Sequence, residues 1–186
     1  MDNARLVKIS KYLSKHLRHH PERLGLTVAP GGWVDVGILL AACQAHQFDL
    51  TLAELEEVVK QNDKQRFSFD QTGQKIRANQ GHSIDVDLQF EPAIPPLILY
   101  HGTGECNVES ILVNGLLKMK RHHVHLSMDI ETAKRVGVRH GKPVVFEINT
   151  KAMIEAGYQF FLSANGVWLV NDVPPKYVAK TESNNE

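Results

Sequence analysis

The chain has 186 residues, 42% of them hydrophobic, enough for one large domain or two small lobes and too many for global disorder. Lys and Arg total 21 and Asp and Glu total 21, which excludes coating a nucleic acid by bulk charge. Any RNA contact must come from a local cluster of cations. The two cysteines, Cys43 and Cys106, lack metal-ligand spacing and argue for a reducing compartment over a disulfide framework. The opening residues MDNARLVKIS carry no apolar signal-peptide core, and no apolar run nears the roughly 20 residues of a membrane span. The expectation is a soluble, cytoplasmic, monomeric protein.

In chain order, residues 4–20 predict an amphipathic helix. At roughly 100° per residue Leu6, Ile9, Leu13 and Leu17 share one face, with Lys8, Lys11, Lys15 and Arg18 almost opposite. Pro21 ends the run. The stretch LTVAPGGWVDV predicts a short hairpin turning at Pro30-Gly31-Gly32. A second helix is expected from about Asp35 to His46. A third opens at the capping box Thr51-Leu52-Ala53-Glu54 and reaches about Gln61. Phe67 and Phe69, then Ile76 and Ala78, alternate with polar residues around Gly73, a β-hairpin pattern. Three helices followed by a hairpin suggest a winged-helix-like lobe over residues 1–80, its wing carrying Lys64, Arg66, Lys75 and Arg77. Residues 81–96 read as a connector. LILYH, HVHLS, PVVFEI and YQFFLS are strand-like, and ECNVESILVNG and IETAKRVGVRHG helix-like. They predict a second lobe over 97–180 and a polar tail at 181–186, for an α+β protein.

Each candidate constellation also has a plain structural explanation. Arg18-His19-His20 closes the first helix, where positive groups favour the macrodipole in any protein. Arg66 is predicted on the face opposite Phe67, where a surface arginine is ordinary. Tyr100-His101-Gly102-Thr103-Gly104 follows an apolar strand, and its glycines would let backbone amides approach a ligand at a turn. It fails the dinucleotide fingerprint, because Asn107 stands where the third glycine belongs. In Arg121-His122-His123-Val124-His125-Leu126-Ser127, His123 and His125 would share a strand face, but no carboxylate or cysteine stands beside them at ligand spacing, so no metal is expected. Gly137-Val138-Arg139-His140-Gly141 reads as a helix end near a glycine cap.

Taken in order, K-x-L-R-H, Q-R-F, Y-H-G-T, H-V-H-L-S and G-V-R-H-G-K-P-V-V-F resemble the NAD-dependent RNA (tRNA) 2′-phosphotransferase family of the KptA type. The resemblance runs from Lys8 to about Val178. It implies an N-terminal winged-helix RNA lobe and a C-terminal NAD lobe of ADP-ribosyltransferase fold. Its catalytic Arg-His-Arg-Arg group falls on Arg18, His19, Arg66 and Arg139. Its His, His, aliphatic signature falls on His101, His125 and Val167, and Gly102, Thr103 and Ser127 become NAD contacts. Lys11, Lys15, Lys64, Lys75 and Arg77 become candidates for RNA backbone phosphates.

The implied reaction moves an internal RNA 2′-phosphate onto NAD through an RNA-2′-phospho-ADP-ribose intermediate. It releases nicotinamide and ADP-ribose 1″,2″-cyclic phosphate. Two alternatives stay open: an ADP-ribosyltransferase acting on a terminal nucleic-acid phosphate or on protein, and a non-catalytic winged-helix nucleic-acid-binding module.

Overall fold

The computed structural model describes residues 1–61 and 65–181. The chain divides into two compact units, Met1–Gln89 and Phe90 onward. Both mix helices with short antiparallel strands, in keeping with an α+β protein.

The first unit opens with helix α1 (Asn3–Arg18), whose N-cap Asp2 accepts from the Arg5 amide. Its stripe of Ile9, Leu13 and Leu17 is fully buried, while Lys8, Lys11 and Lys15 stay exposed. Burial of each such side chain contributes about 1.5–3 kcal/mol. The helix stops at His19 (φ −128°), and Pro21–Leu24 continues as a 3₁₀ turn. Strand β1 (Trp33–Asp35) leads into α2 (Val36–Ala45), capped by the Asp35 carboxylate, and α3 (Leu52–Gln61) follows. β2 (Phe67–Phe69) and β3 (Lys75–Ala78) form the expected hairpin, pairing Phe67 with Ala78 and Phe69 with Ile76.

One expectation fails here. Pro30-Gly31-Gly32 turns the chain, but no ladder flanks it: Ala29 and Trp33 share an isolated bridge, and β1 pairs instead with β3 in a sheet ordered β1-β3-β2. Gly31 and Gly32 both have positive φ, and Gly31 donates its amide to the Asp87 carbonyl. The local pattern registered the turn; the distant strand Lys75–Ala78 offered β1 a longer ladder than its sequence neighbours could.

The second unit contains β4 (Ile98–Gly104), α4 (Val108–Asn114), β5 (Leu116–Leu117), β6 (Val124–Leu126), α5 (Ile130–Gly137), β7 (Pro143–Asn149) and α6 (Thr150–Glu155). Then come β8 (Phe160–Leu162), β9 (Trp168–Val170), β10 (Asp172–Val173) and β11 (Val178–Lys180). They make antiparallel sheets ordered β11-β7-β4 and β6-β9-β8, plus the β5–β10 pair. Two reciprocal backbone hydrogen bonds between Tyr100 and Ser127, 2.9 and 2.7 Å, join β4 to the end of β6. Leu99, Leu126, Phe146, Ile148, Met153, Phe160 and Val170 form the core beneath this junction. Among the described residues no helix is long and apolar enough to cross a membrane.

Strand β4 runs through Gly104, pairing Gly102 with Val145 and Gly104 with Pro143. The stretch read as a glycine turn is therefore strand. Its glycines serve close approach: a Cβ on Gly102 would lie 1.7 Å from the Ala133 carbonyl oxygen of α5.

In the first unit Glu54 closes the α3 capping box with Thr51 and also takes two hydrogen bonds from Arg5 of α1, at 2.8 and 3.1 Å. The Arg5 bonds come first among the causes that pull its carboxyl from 4.5 down to about 2. A depressed carboxylate stabilises the fold fully above about pH 4.5, and that contribution is lost as pH falls toward about 2. Glu54→Ala should cost about 1 kcal/mol at pH 7. Amide hydrogen exchange in α1 and α3 should show this deficit narrowing by pH 3.

Candidate functional site

In the first unit Arg18 and His19 close α1, and Arg66 directly precedes Phe67, the ring over which Arg18 lies. Arg18 is the last helical residue; its guanidinium lies over the Phe67 ring, 5.9 Å from the centroid, with Nε and Nη2 shielded from solvent. Phe67 immediately follows Arg66. The Arg66 carbonyl accepts from the Asn79 amide at 2.8 Å, and the Asn79 side chain donates to the Gln65 carbonyl. These bonds fix the main chain at Gln65 and Arg66, immediately before β2. His19 shares a 2.9 Å hydrogen bond between Nδ1 and the Ser83 hydroxyl, and the Ser83 amide donates to the Arg18 carbonyl. Ser83 and Asn79 went unnoticed in the sequence because the run after Ala78 has no periodicity to mark it as part of a site.

The cations assigned to RNA divide by exposure. Lys11, Lys15 and Lys75 are exposed. Arg77 is half-buried, stacked 4.5 Å over Trp33 and donating to the Gly31 carbonyl, where burial pulls its pKa down. Its first use is bracing the Gly31 turn. Lys64 lies outside the described residues.

In the second unit the three signature positions stand on adjoining strands. His101 lies on β4, His125 on β6, and Val167 immediately before β9, one residue beyond the Leu126–Trp168 pair. His101 Nδ1 lies 3.1 Å from the His125 carbonyl. A carbonyl only accepts, so Nδ1 carries the proton and Nε2 holds the lone pair in the neutral ring. His125 Nδ1 lies 3.2 Å from Arg121 Nη1, a donor, so His125 accepts there and carries its proton on Nε2. One ring therefore offers an acceptor and the other a donor. Val167 is held on both main-chain sides by Ser163, whose hydroxyl accepts from the Val167 amide and whose amide donates to its carbonyl, each at 3.0 Å. Thr103 is buried, its hydroxyl accepting from Asn107, and Ser127 is tied to Tyr100 through backbone.

Arg139 sits in the exposed 3₁₀ turn Val138–His140, which the close approach of Gly104 to the His140 carbonyl brings against β4. Arg121 is the residue the sequence reading passed over. It lies in the RHHVHLS run, where strand alternation singles out the histidines alone. Its bond to His125 and its electrostatic influence on His101 make it the cation tied to both histidines. His123 does not share their setting: its ring packs 5.4 Å from Phe161 and 6.1 Å from Phe90, and burial lowers its pKa. Among the described residues no group of three or more His, Cys, Asp or Glu could hold a metal ion.

Burial, followed by the positive charges of Arg121 and His140, pushes the His101 pKa below its ordinary 6.5, against the opposing pull of the His125 carbonyl. A histidine held neutral in the fold contributes stability above pH 6.5 that is lost as pH falls through that value and below. Nitrogen-detected NMR should therefore find His101 titrating below 6.5, its neutral form protonated on Nδ1. An ordinary titration near 6.5 would contradict the geometry.

A family model described as "RNA 2′-phosphotransferase, Tpt1 / KptA family" matches residues 4–172. A Trichormus variabilis protein named "Probable RNA 2′-phosphotransferase" is 65% identical over 178 residues, 96% of this chain and 98% of that protein. A Nostoc punctiforme protein of the same name is 62% identical over 180 residues, covering 97% and 99% of the two chains. One from Streptomyces coelicolor is 54% identical over 178 residues, covering 96% and 97%. The resemblance first carried by five short motifs thus holds across the matched length, and the chain belongs to the RNA 2′-phosphotransferase, Tpt1/KptA family.

Proposed function

We propose that this protein removes an internal 2′-phosphate from RNA, of the kind left at a tRNA splice junction, by transferring it to NAD⁺. NAD⁺ is consumed as a substrate. The observation that carries the reading is that Arg18 and His19, at one end of α1, are held by Ser83 and by Phe67, the residue next to Arg66. A phosphomonoester carries about −1.5 to −2 charge at neutral pH. Arginines hold such an anion through planar, paired donors that never lose their proton. The helix-helix-helix-hairpin order of the first unit supports its reading as a winged-helix-like RNA lobe, with Lys11, Lys15 and Lys75 contacting backbone phosphates without reading sequence.

The second unit is assigned the NAD⁺, in a lobe of ADP-ribosyltransferase type. The residues present fit that ligand. A histidine kept neutral at position 101 adds no positive charge beside a cationic nicotinamide ring. The complementary nitrogens of His101 and His125 suit ribose hydroxyls, and the resemblance assigns the nicotinamide amide to the main chain around His101 and Gly102. Thr103, Ser127 and Val167 complete the assigned contacts. An aliphatic residue at 167 suits a phosphate nucleophile, since the anion needs no carboxylate to activate it and would be repelled by one.

A phosphate oxygen attacks the anomeric carbon of the nicotinamide ribose and nicotinamide departs. The neighbouring 2″-hydroxyl then attacks phosphorus, and RNA leaves with a free 2′-hydroxyl. The arginines stabilise the charge developing at phosphorus. His19 carries a proton in the second step. For the fourth cation the resemblance points to Arg139 and the hydrogen bonding to Arg121; the Arg121–His125 bond favours the latter.

The test is a short RNA bearing one internal 2′-phosphate, incubated with and without NAD⁺, following both RNA and small molecules. The reading expects NAD⁺-dependent 2′-hydroxyl RNA together with ADP-ribose 1″,2″-cyclic phosphate. ADP-ribose retained on the RNA would make the protein an ADP-ribosyltransferase, and no NAD⁺ consumption would leave a binding module. His19→Ala should slow the second step by roughly 10²–10⁴-fold and accumulate the intermediate. Arg121→Ala should lower kcat/KM by roughly 10²-fold, and a larger loss in Arg139→Ala would return the fourth role to Arg139.

A further inference from the structure

We infer that Ser83 is a positioning residue that fixes the tautomer of His19, so that the histidine exchanges its proton through Nε2. The inference rests on the catalytic role given to His19 above and goes beyond it to a residue that no motif marked.

Ser83 makes two bonds to consecutive residues of the site. Its hydroxyl lies 2.9 Å from His19 Nδ1, and its amide donates to the Arg18 carbonyl at 2.9 Å. The His19 backbone is meanwhile held by the helix end: the His19 and His20 amides both donate to the Lys15 carbonyl, at 3.2 and 3.0 Å. Buried His16 reaches forward to the His20 carbonyl. With the main chain fixed, the ring has only its side-chain torsions left, and Ser83 holds one of its two nitrogens.

The segment carrying Ser83 is itself anchored. Asn79 bonds the backbone of Gln65 and Arg66. His82, the residue before Ser83, is fully buried. Asp87 accepts from Gly31, and buried Leu88 packs so near Gly32 that a Cβ there would lie 2.9 Å from it. Ser83 is thus presented from a fixed stretch of chain, and the same stretch supports Arg18, His19 and Arg66.

The direction of the His19–Ser83 bond follows from the chemistry. An imidazole that cycles between neutral and charged forms has an N–H on both nitrogens when charged. A partner that donated to Nδ1 would then meet a like proton. A hydroxyl can accept in both states, because its own proton rotates away toward solvent, and Ser83 is exposed enough for that. A Ser83 that accepts keeps its bond to Nδ1–H in both states, which leaves Nε2 as the nitrogen that gains and loses a proton. In the second step the O2″–P bond forms and the P–O2′ bond breaks. The 2″-hydroxyl gives up a proton and the departing RNA O2′ takes one, so no proton is gained or lost overall. Nε2 handles one of these two transfers.

The test uses the full chain and three proteins: parent, Ser83→Ala and Ser83→Thr, which keeps the hydroxyl. Imidazole nitrogen NMR at pH 8, without substrate, should show His19 as the Nδ1–H tautomer in the parent and Ser83→Thr, shifted toward Nε2–H in Ser83→Ala. Single-turnover assays with 2′-phosphorylated RNA and NAD⁺ should then show the second step slowed about tenfold in Ser83→Ala, the first step nearly unchanged, and Ser83→Thr restored. An Nε2–H tautomer in the parent overturns the inference, as does an unchanged tautomer or step ratio in folded Ser83→Ala. The NMR arm needs no turnover. A parent protein that holds the Nδ1–H tautomer but converts no RNA would sink the functional reading while leaving the positioning by Ser83 intact.

Discussion

The second unit depends on one steric constraint, the contact of strand β4 with the turn that follows it through α5. The Ala133 carbonyl of α5 and the His140 carbonyl lie so near β4 that a Cβ on Gly102 or Gly104 would sit 1.7 or 2.1 Å from them. Both obstacles are backbone and cannot swing aside. The glycines are therefore required by packing, and the result is that α5 and its 3₁₀ extension lie directly on the strand that carries His101. Tyr100 on the same strand holds Ser127, and His101 holds the His125 carbonyl. Strand, helix and second sheet converge within five residues, 100–104.

The first unit solves a different problem. A helix C-terminus carries partial negative charge and is a poor place to bind an anion by dipole alone. The same charge, however, favours a cation such as Arg18 there, by about 0.3–1 kcal/mol. Charge-assisted hydrogen bonds from arginine to phosphate, about 1.5–3 kcal/mol each, outweigh the dipole. The arrangement therefore makes sense for a site that recognises phosphate by side chains. It differs from the glycine-rich nucleotide loops, which use helix N-termini.

Much of this was legible beforehand. Periodicity marked α1 and its stripe, the Thr51–Glu54 spacing marked α3, and alternation marked the β2–β3 hairpin, because each depends on neighbours within a few residues. Arg18, His19 and His101 stood out through short motifs and the resemblance they carry. Ser83, Asn79 and Arg121 did not. Ser83 meets His19 across 64 positions of sequence and lies in a run with no strand or helix pattern. Arg121 was visible but ambiguous, since an arginine beside three histidines looks like any basic loop until one sees which ring it bonds. Strands β9 and β11 were missed as well, being three residues each and defined by partners elsewhere in the chain.

By itself the sequence determined the residue types, most of the helices, the β2–β3 hairpin, the mixed helix-and-strand class and the family. Composition, periodicity and short motifs act over a few residues, and that range suffices for those. Only the tertiary structure decided that Gly102 serves contact in place of a turn, that β1 pairs with β3, that Arg77 is spent on Trp33, and which nitrogen of His101 and His125 bears the proton. Those outcomes depend on atoms brought together from distant positions, where sterics and hydrogen-bond direction leave one arrangement and residue spacing leaves many.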